Sequence, residues 1–143
     1  MAERIGWGIL ILFVVLALLG VFSNGVLSSA RAEREGVPLT IDYERFQRKT
    51  ALTRFAIHLP RQGQDEIWLQ FNRALQATYE VESIQPPPAR ATTNASGIGL
   101  FFDTYDGEDL LVVIWARPRH FGAVTLEVTR VPQTLPISIL IYP

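Results

Sequence analysis

The sequence predicts a mainly β protein, an antiparallel immunoglobulin-like β-sandwich preceded by one N-terminal transmembrane helix. Three observations carry this expectation. Residues Ile5 to Phe22 are almost wholly apolar, and no charge falls between Ile5 and Ala30. Beyond Gly36, apolar residues recur at every second position in short runs. Turn-forming residues interrupt those runs, and no long amphipathic helical pattern follows the apolar stretch.

The apolar stretch reads as a membrane anchor. Ile5 to Phe22 holds 13 Leu, Ile, Val and Phe residues, which together favour insertion by roughly 4 to 8 kcal/mol. Crossing about 30 Å of hydrocarbon takes about 20 such residues. The expected organisation is a tail over 1–4, a transmembrane helix over 5–27, a charged connector over 28–36 and a β-sandwich over 37–143. Trp7 falls where an interfacial aromatic belongs, with Arg4 just outside. A cleaved signal peptide is the rival reading, since Ala30-Arg31-Ala32 has the small-x-small form of a cleavage site, but the apolar stretch exceeds the usual signal core of about 7 to 15 residues. Gly6, Gly8, Gly20 and Gly25 include no pair at helix-dimer spacing. Arg31 and Arg34 after the span lean toward a cytoplasmic sandwich by charge count. The short tail, long apolar core and Ala-x-Ala resemble an uncleaved export signal, and favour a periplasmic sandwich on the bacterial inner membrane.

The strands follow in order. Leu39, Ile41 and Tyr43 alternate with polar residues, then Phe55, Ile57 and Leu59, then Ile67, Leu69 and Phe71. Asn72 to Tyr79 suits a short helix or irregular turn, and Val81 to Ile84 a further strand. Pro86-Pro87-Pro88 offers no amide donors and must be a loop or an edge. Ile98 to Asp103, Leu110 to Ala116, Ala123 to Arg130 and Ile137 to Tyr142 complete seven or eight strands.

Composition excludes several function classes. Thirteen basic against 14 acidic residues leave no basic footprint for nucleic acid. The absence of cysteine removes disulfides, thiolate metal sites and thiol catalysis. His58 and His120 belong to no recognisable metal or nucleophile motif, so neither an enzyme nor a cofactor is expected. Asp103, Asp106, Glu108 and Asp109 surround Gly107, where a hairpin turn is the plainer reading and a hard-cation site the sharper one. Asn94-Ala95-Ser96 matches the glycosylation sequon, which matters only in a eukaryotic secretory setting.

The excess of apolar residues is the informative feature. Leu110 to Ala116 is apolar without a break, so Leu111, Val113 and Trp115 need cover as much as Leu110, Val112 and Ile114 do. Trp68 and Phe101 occupy the alternate faces of their strands. Central strands covered by loops would explain this; an exposed apolar patch marking a protein or membrane contact is the sharper alternative. Trp7, Trp68, Phe101, Leu111, Val113 and Trp115 are therefore the candidate interaction residues, and Arg31 and Arg34 the candidate contacts to lipid head groups.

The segment Ile41-Asp42-Tyr43-Glu44-Arg45-Phe46-Gln47-Arg48, with Ala51-Leu52-Thr53-Arg54 and the closing Ile141-Tyr142-Pro143, resembles a group of small bacterial single-span proteins. These carry a Y-x-R-F segment, an A-P-T-like strand start and a terminal Y-P, and have no assigned activity. Leu52 stands where that pattern has proline. The resemblance implies architecture only.

Together these readings predict a non-enzymatic accessory or scaffold subunit of a larger integral membrane complex, with photosynthetic and respiratory assemblies as candidate hosts. Its helix would pack in the membrane while its β domain docks on the complex's surface. A free-standing anchored module that partners a transporter or envelope protein is the alternative.

Overall fold

The computed structural model describes residues 2–18, 28–103 and 109–143. Helix α1 spans Ala2–Leu18. The strands are β1 (Ser29–Glu33), β2 (Thr40–Glu44), β3 (Phe46–Arg48), β4 (Thr53–Leu59), β5 (Glu66–Asn72), β6 (Tyr79–Gln85), β7 (Arg90–Asn94), β8 (Gly97–Asp103), β9 (Leu110–Pro118), β10 (Gly122–Arg130) and β11 (Gln133–Tyr142). A short helix α2, Arg73–Thr78, joins β5 to β6.

The strands form two sheets that pack as a sandwich: five in the order β1-β2-β4-β9-β6 and six in the order β3-β11-β10-β5-β8-β7. Every pairing is antiparallel except β3 with β11. The period-two pattern decides which face turns inward. Ile41 on β2, Phe55, Ile57 and Leu59 on β4, and Val112 and Ile114 on β9 meet Ile67, Leu69 and Phe71 on β5, Leu126 and Val128 on β10, and Ile137, Ile139 and Ile141 on β11. Each such side chain contributes about 1.5 to 3 kcal/mol when taken out of water.

Ser28, Gln47, Thr53, Thr78 and Arg130 are the polar residues buried within this frame among those described, and Gln47 and Arg130 each tie separate segments together. Gln47 on β3 accepts a hydrogen bond from the Tyr79 hydroxyl on β6 at 2.8 Å and donates to the Glu44 carbonyl at 3.0 Å. That bond links one sheet to the other, and the Tyr79 ring meets Phe55 edge-on at 5.5 Å. Burial pushes the Tyr79 hydroxyl well above the ordinary phenol range, so it stays a donor. Arg130, 5% exposed, donates to the carbonyls of Pro38 at 2.7 Å and Pro60 at 2.9 Å, tying the end of β10 to the segments flanking β2 and β4.

Several boundaries differ from the sequence reading. The described residues form eleven strands, against the seven or eight expected. The stretch 28–36, expected as a connector, contains β1, whose Ala30 and Ala32 pair with Tyr43 and Ile41. Alanine is too small to produce a visible apolar alternation, although Ala32 packs on the core. Strand β3 was hidden by its length of 3 residues, and β7 by having every residue exposed. Helix α1 begins at Ala2, inside the expected tail, and its 17 residues run about 25 Å at 1.5 Å per residue. No helix among the described residues is long and apolar enough to cross a membrane. The rest of the expected span, 19–27, lies outside the described residues.

Candidate docking face

The candidate interaction residues fall at three separate places. Trp7 lies on α1, 62% exposed, among Ile9, Leu10, Leu12 and Phe13, which are all exposed as well. Such a helix buries no apolar stripe, since its side chains are apolar nearly all round.

Trp68 and Phe101 sit opposite each other on β5 and β8 and face outward from the six-stranded sheet. Their rings stack at 6.0 Å with an interplanar angle of 14°. The Arg90 guanidinium covers the Phe101 ring at 4.1 Å from its centroid and reaches Glu66 at 3.6 Å. The indole lies flat on the sheet over Gly99, where an added Cβ would come within 2.6 Å of its ring nitrogen. The pair is thus largely covered by its own neighbours and forms a plate rather than an open patch.

Leu111, Val113 and Trp115 project outward from β9, a central strand of the five-stranded sheet. Leu111 is 47% exposed, while Val113 and Trp115 are half-buried. Register sets their neighbours: Trp115 opposes Arg54, Val113 opposes Ala56, and Leu111 opposes His58. Ala56, on the polar side of its strand by pattern, is only 3% exposed. Next to this apolar row runs a charged one. Arg31 on β1 grips Asp42 on β2 with two hydrogen bonds at 2.6 and 3.0 Å, and His58 Nε2 reaches the same carboxylate at 3.0 Å. The Arg31 hydrogen bonds hold the Asp42 carboxyl below its ordinary range, with burial working against them and His58 with them. Glu44 behaves oppositely, its carboxyl pushed up by burial and partly restrained by Arg54.

Part of this face borders an open groove of about 660 Å³, lined among others by Trp115, Arg54, Leu52, Arg31, Asp42 and Glu44. No group of three His, Asp or Glu side chains suited to a metal occurs among the described residues. Asp106 and Glu108 lie outside the described residues. The arrangement offers an apolar stripe beside paired charges.

The head-group candidates separate. Arg31 is committed to Asp42. Arg34 follows the far end of β1, about 17 Å along the strand from Ser29 at 3.3 Å per residue. Sequence reasoning missed Leu52 and Arg54 at the groove; only the β4–β9 register brings them to Trp115. No family model and no curated protein matches this chain.

Proposed function

We propose that the chain is a non-enzymatic accessory subunit of a larger integral membrane assembly. Its N-terminal apolar segment is held in the membrane, and its sandwich docks through the outer face of the five-stranded sheet. The observation that carries this reading is the Leu111, Val113, Trp115 row, which leaves apolar surface on a central strand that no loop of the described chain covers fully. The apolar helix α1 supports the anchor, because exposed Ile, Leu, Val and Phe side chains on every side require lipid or another helix around them.

The structure bears on two finer points of this reading. Strands β2, β4, β9 and β6 neighbour one another as the A, B, E and D strands of an immunoglobulin-like sandwich do, and β5, β10 and β11 as C, F and G do, which favours that class. The hairpin β7–β8 and the edge strands β1 and β3 are additions to it. Retention of the anchor is favoured because Ala30-Arg31-Ala32 lies within β1: cleavage there would remove the strand and its grip on Asp42. The segment Tyr43 to Phe46 that carries the resemblance to small single-span bacterial proteins forms the corner from one sheet to the other.

Affinity purification of the tagged full-length chain from its native membranes in mild detergent tests this reading. The expected result is recovery of larger integral membrane chains at fixed stoichiometry. Recovery of the chain alone would replace the subunit reading with that of a free-standing module.

A further inference from the structure

The polypeptide joins the sandwich at a particular end. Ser28 is buried there, accepting at its carbonyl from the Arg45 amide and donating from its hydroxyl to the Phe46 carbonyl. Backbone hydrogen bonds weld the neighbouring turns into one surface: Lys49 N–H donates to Tyr142, Thr50 to Pro118, and Arg119 to Thr78. From Phe22 to Ser28 is only six residues, a reach of about 20 Å at full extension. If the apolar segment is anchored, this end of the sandwich lies against the membrane surface.

Its composition fits that position. Leu52, Phe121 and Tyr142 are 44%, 66% and 39% exposed, giving three apolar or aromatic tips at this end, and Phe46, 46% exposed, lies on the adjoining outer face of the six-stranded sheet. Among the basic residues, Arg117 pairs with Glu82 and Arg119 with Glu80, while Arg54 faces Glu44. Arg45, Arg48 and Lys49 have no acidic side chain in ion-pair reach among the described residues, so they leave a positive excess. The opposite end is the reverse: exposed Glu33, Glu35, Asp65, Glu66, Asp103 and Asp109 outnumber exposed Arg34 and Arg90. Aromatic tips among unpaired cations are the combination that an anionic lipid surface recognises, the rings settling at head-group level and the cations meeting phosphate.

We infer that the end of the sandwich formed by Arg45, Arg48, Lys49, Leu52 and Phe121 seats on anionic phospholipid head groups, fixing the tilt of the domain over the bilayer. This rests on the anchored reading above. It moves the lipid contact from Arg31 and Arg34 to Arg45, Arg48 and Lys49, which are neighbours in sequence, and to Phe121, which the fold brings beside them.

The chain has no cysteine, so single labels can be placed cleanly. Full-length protein with a spin label at F121C, or at R34C as the far-end control, is reconstituted into nanodiscs of phosphatidylcholine alone or with phosphatidylglycerol. Label immobilisation and protection from an aqueous relaxation agent are read. The expected result is protection at position 121 only, strong on the anionic discs and weakened by salt. Replacing Arg45, Arg48 and Lys49 by Gln should lower the docked-to-free ratio roughly 100-fold, at about fivefold per charge. Equal exposure of both labels on anionic discs, with the protein incorporated, would overturn the inference while sparing the anchor. Failure to incorporate would overturn the anchored reading and this inference with it. A triple variant that docks as the parent does would remove the electrostatic basis.

Discussion

Replacing Tyr79 by Phe tests the hydrogen bond that joins the two sheets. The ring remains, 3% exposed and edge-on to Phe55, so packing is preserved. What is lost is the hydroxyl that donates to Gln47 Oε1 at 2.8 Å. Gln47 is 2% exposed, so water does not readily replace the donor. A buried acceptor left without a partner costs about 1 to 3 kcal/mol. A central loss of about 2 kcal/mol lowers the unfolding midpoint by roughly 6 to 12 °C for a domain of this size. Gln47→Leu alone should cost a similar amount, since it strands the Tyr79 hydroxyl and removes the donor to the Glu44 carbonyl. The double variant pairs two apolar groups and should cost about 1 kcal/mol or more less than the sum of the single losses. Urea and thermal unfolding of the full chain in mild detergent, followed by near-ultraviolet circular dichroism, measures all four corners of the cycle. Strict additivity would refute the reasoning, because it would mean that the two groups do not depend on each other.

Four further outcomes are expected. Gly97→Ala should prevent stable folding: at φ +143° its Cβ would lie 1.9 Å from the Phe71 carbonyl oxygen, and soluble yield with circular dichroism checks this. Gly99→Ala should displace the Trp68 ring from the sheet, read as a shift in tryptophan emission with the fold retained. Stability should respond to pH in opposite senses at two neighbouring carboxylates. The depressed Asp42 contributes stability above its ordinary value of 3.8 that is lost as pH falls through its folded value, so Asp42→Asn should flatten the acid limb of the stability profile. The raised Glu44 costs stability once ionised and is relieved in acid, so Glu44→Gln should stabilise at neutral pH and cease to differ from the parent in acid.

The frame of the fold was legible where one strand face is buried and the other wet. The runs through Ile57, Leu69 and Val128 show this alternation and are strands with those residues inward. Leu110 to Ala116 was ambiguous because both faces are apolar. The structure resolves it by burying Val112 and Ile114 completely and leaving Leu111 half in water. Edge strands carried little signal: β7 buries nothing, and β1 offers the core only alanine. The Trp68 and Phe101 plate was illegible for another reason: it depends on register between strands distant in sequence, which no local pattern encodes. The cations Arg45, Arg48 and Lys49 were visible as a sequence cluster, but the arrival of Phe121 beside them was not.

The docking claim is tested most directly by a photo-cross-linking residue placed at Leu111 in the full-length chain, in native membranes, with Glu127 on the other sheet's outer face as control. The account predicts one discrete adduct from position 111, with the same integral membrane partner each time, and none from position 127. An anchored, folded chain that gives no adduct at 111, or equal adducts at both positions, would contradict it.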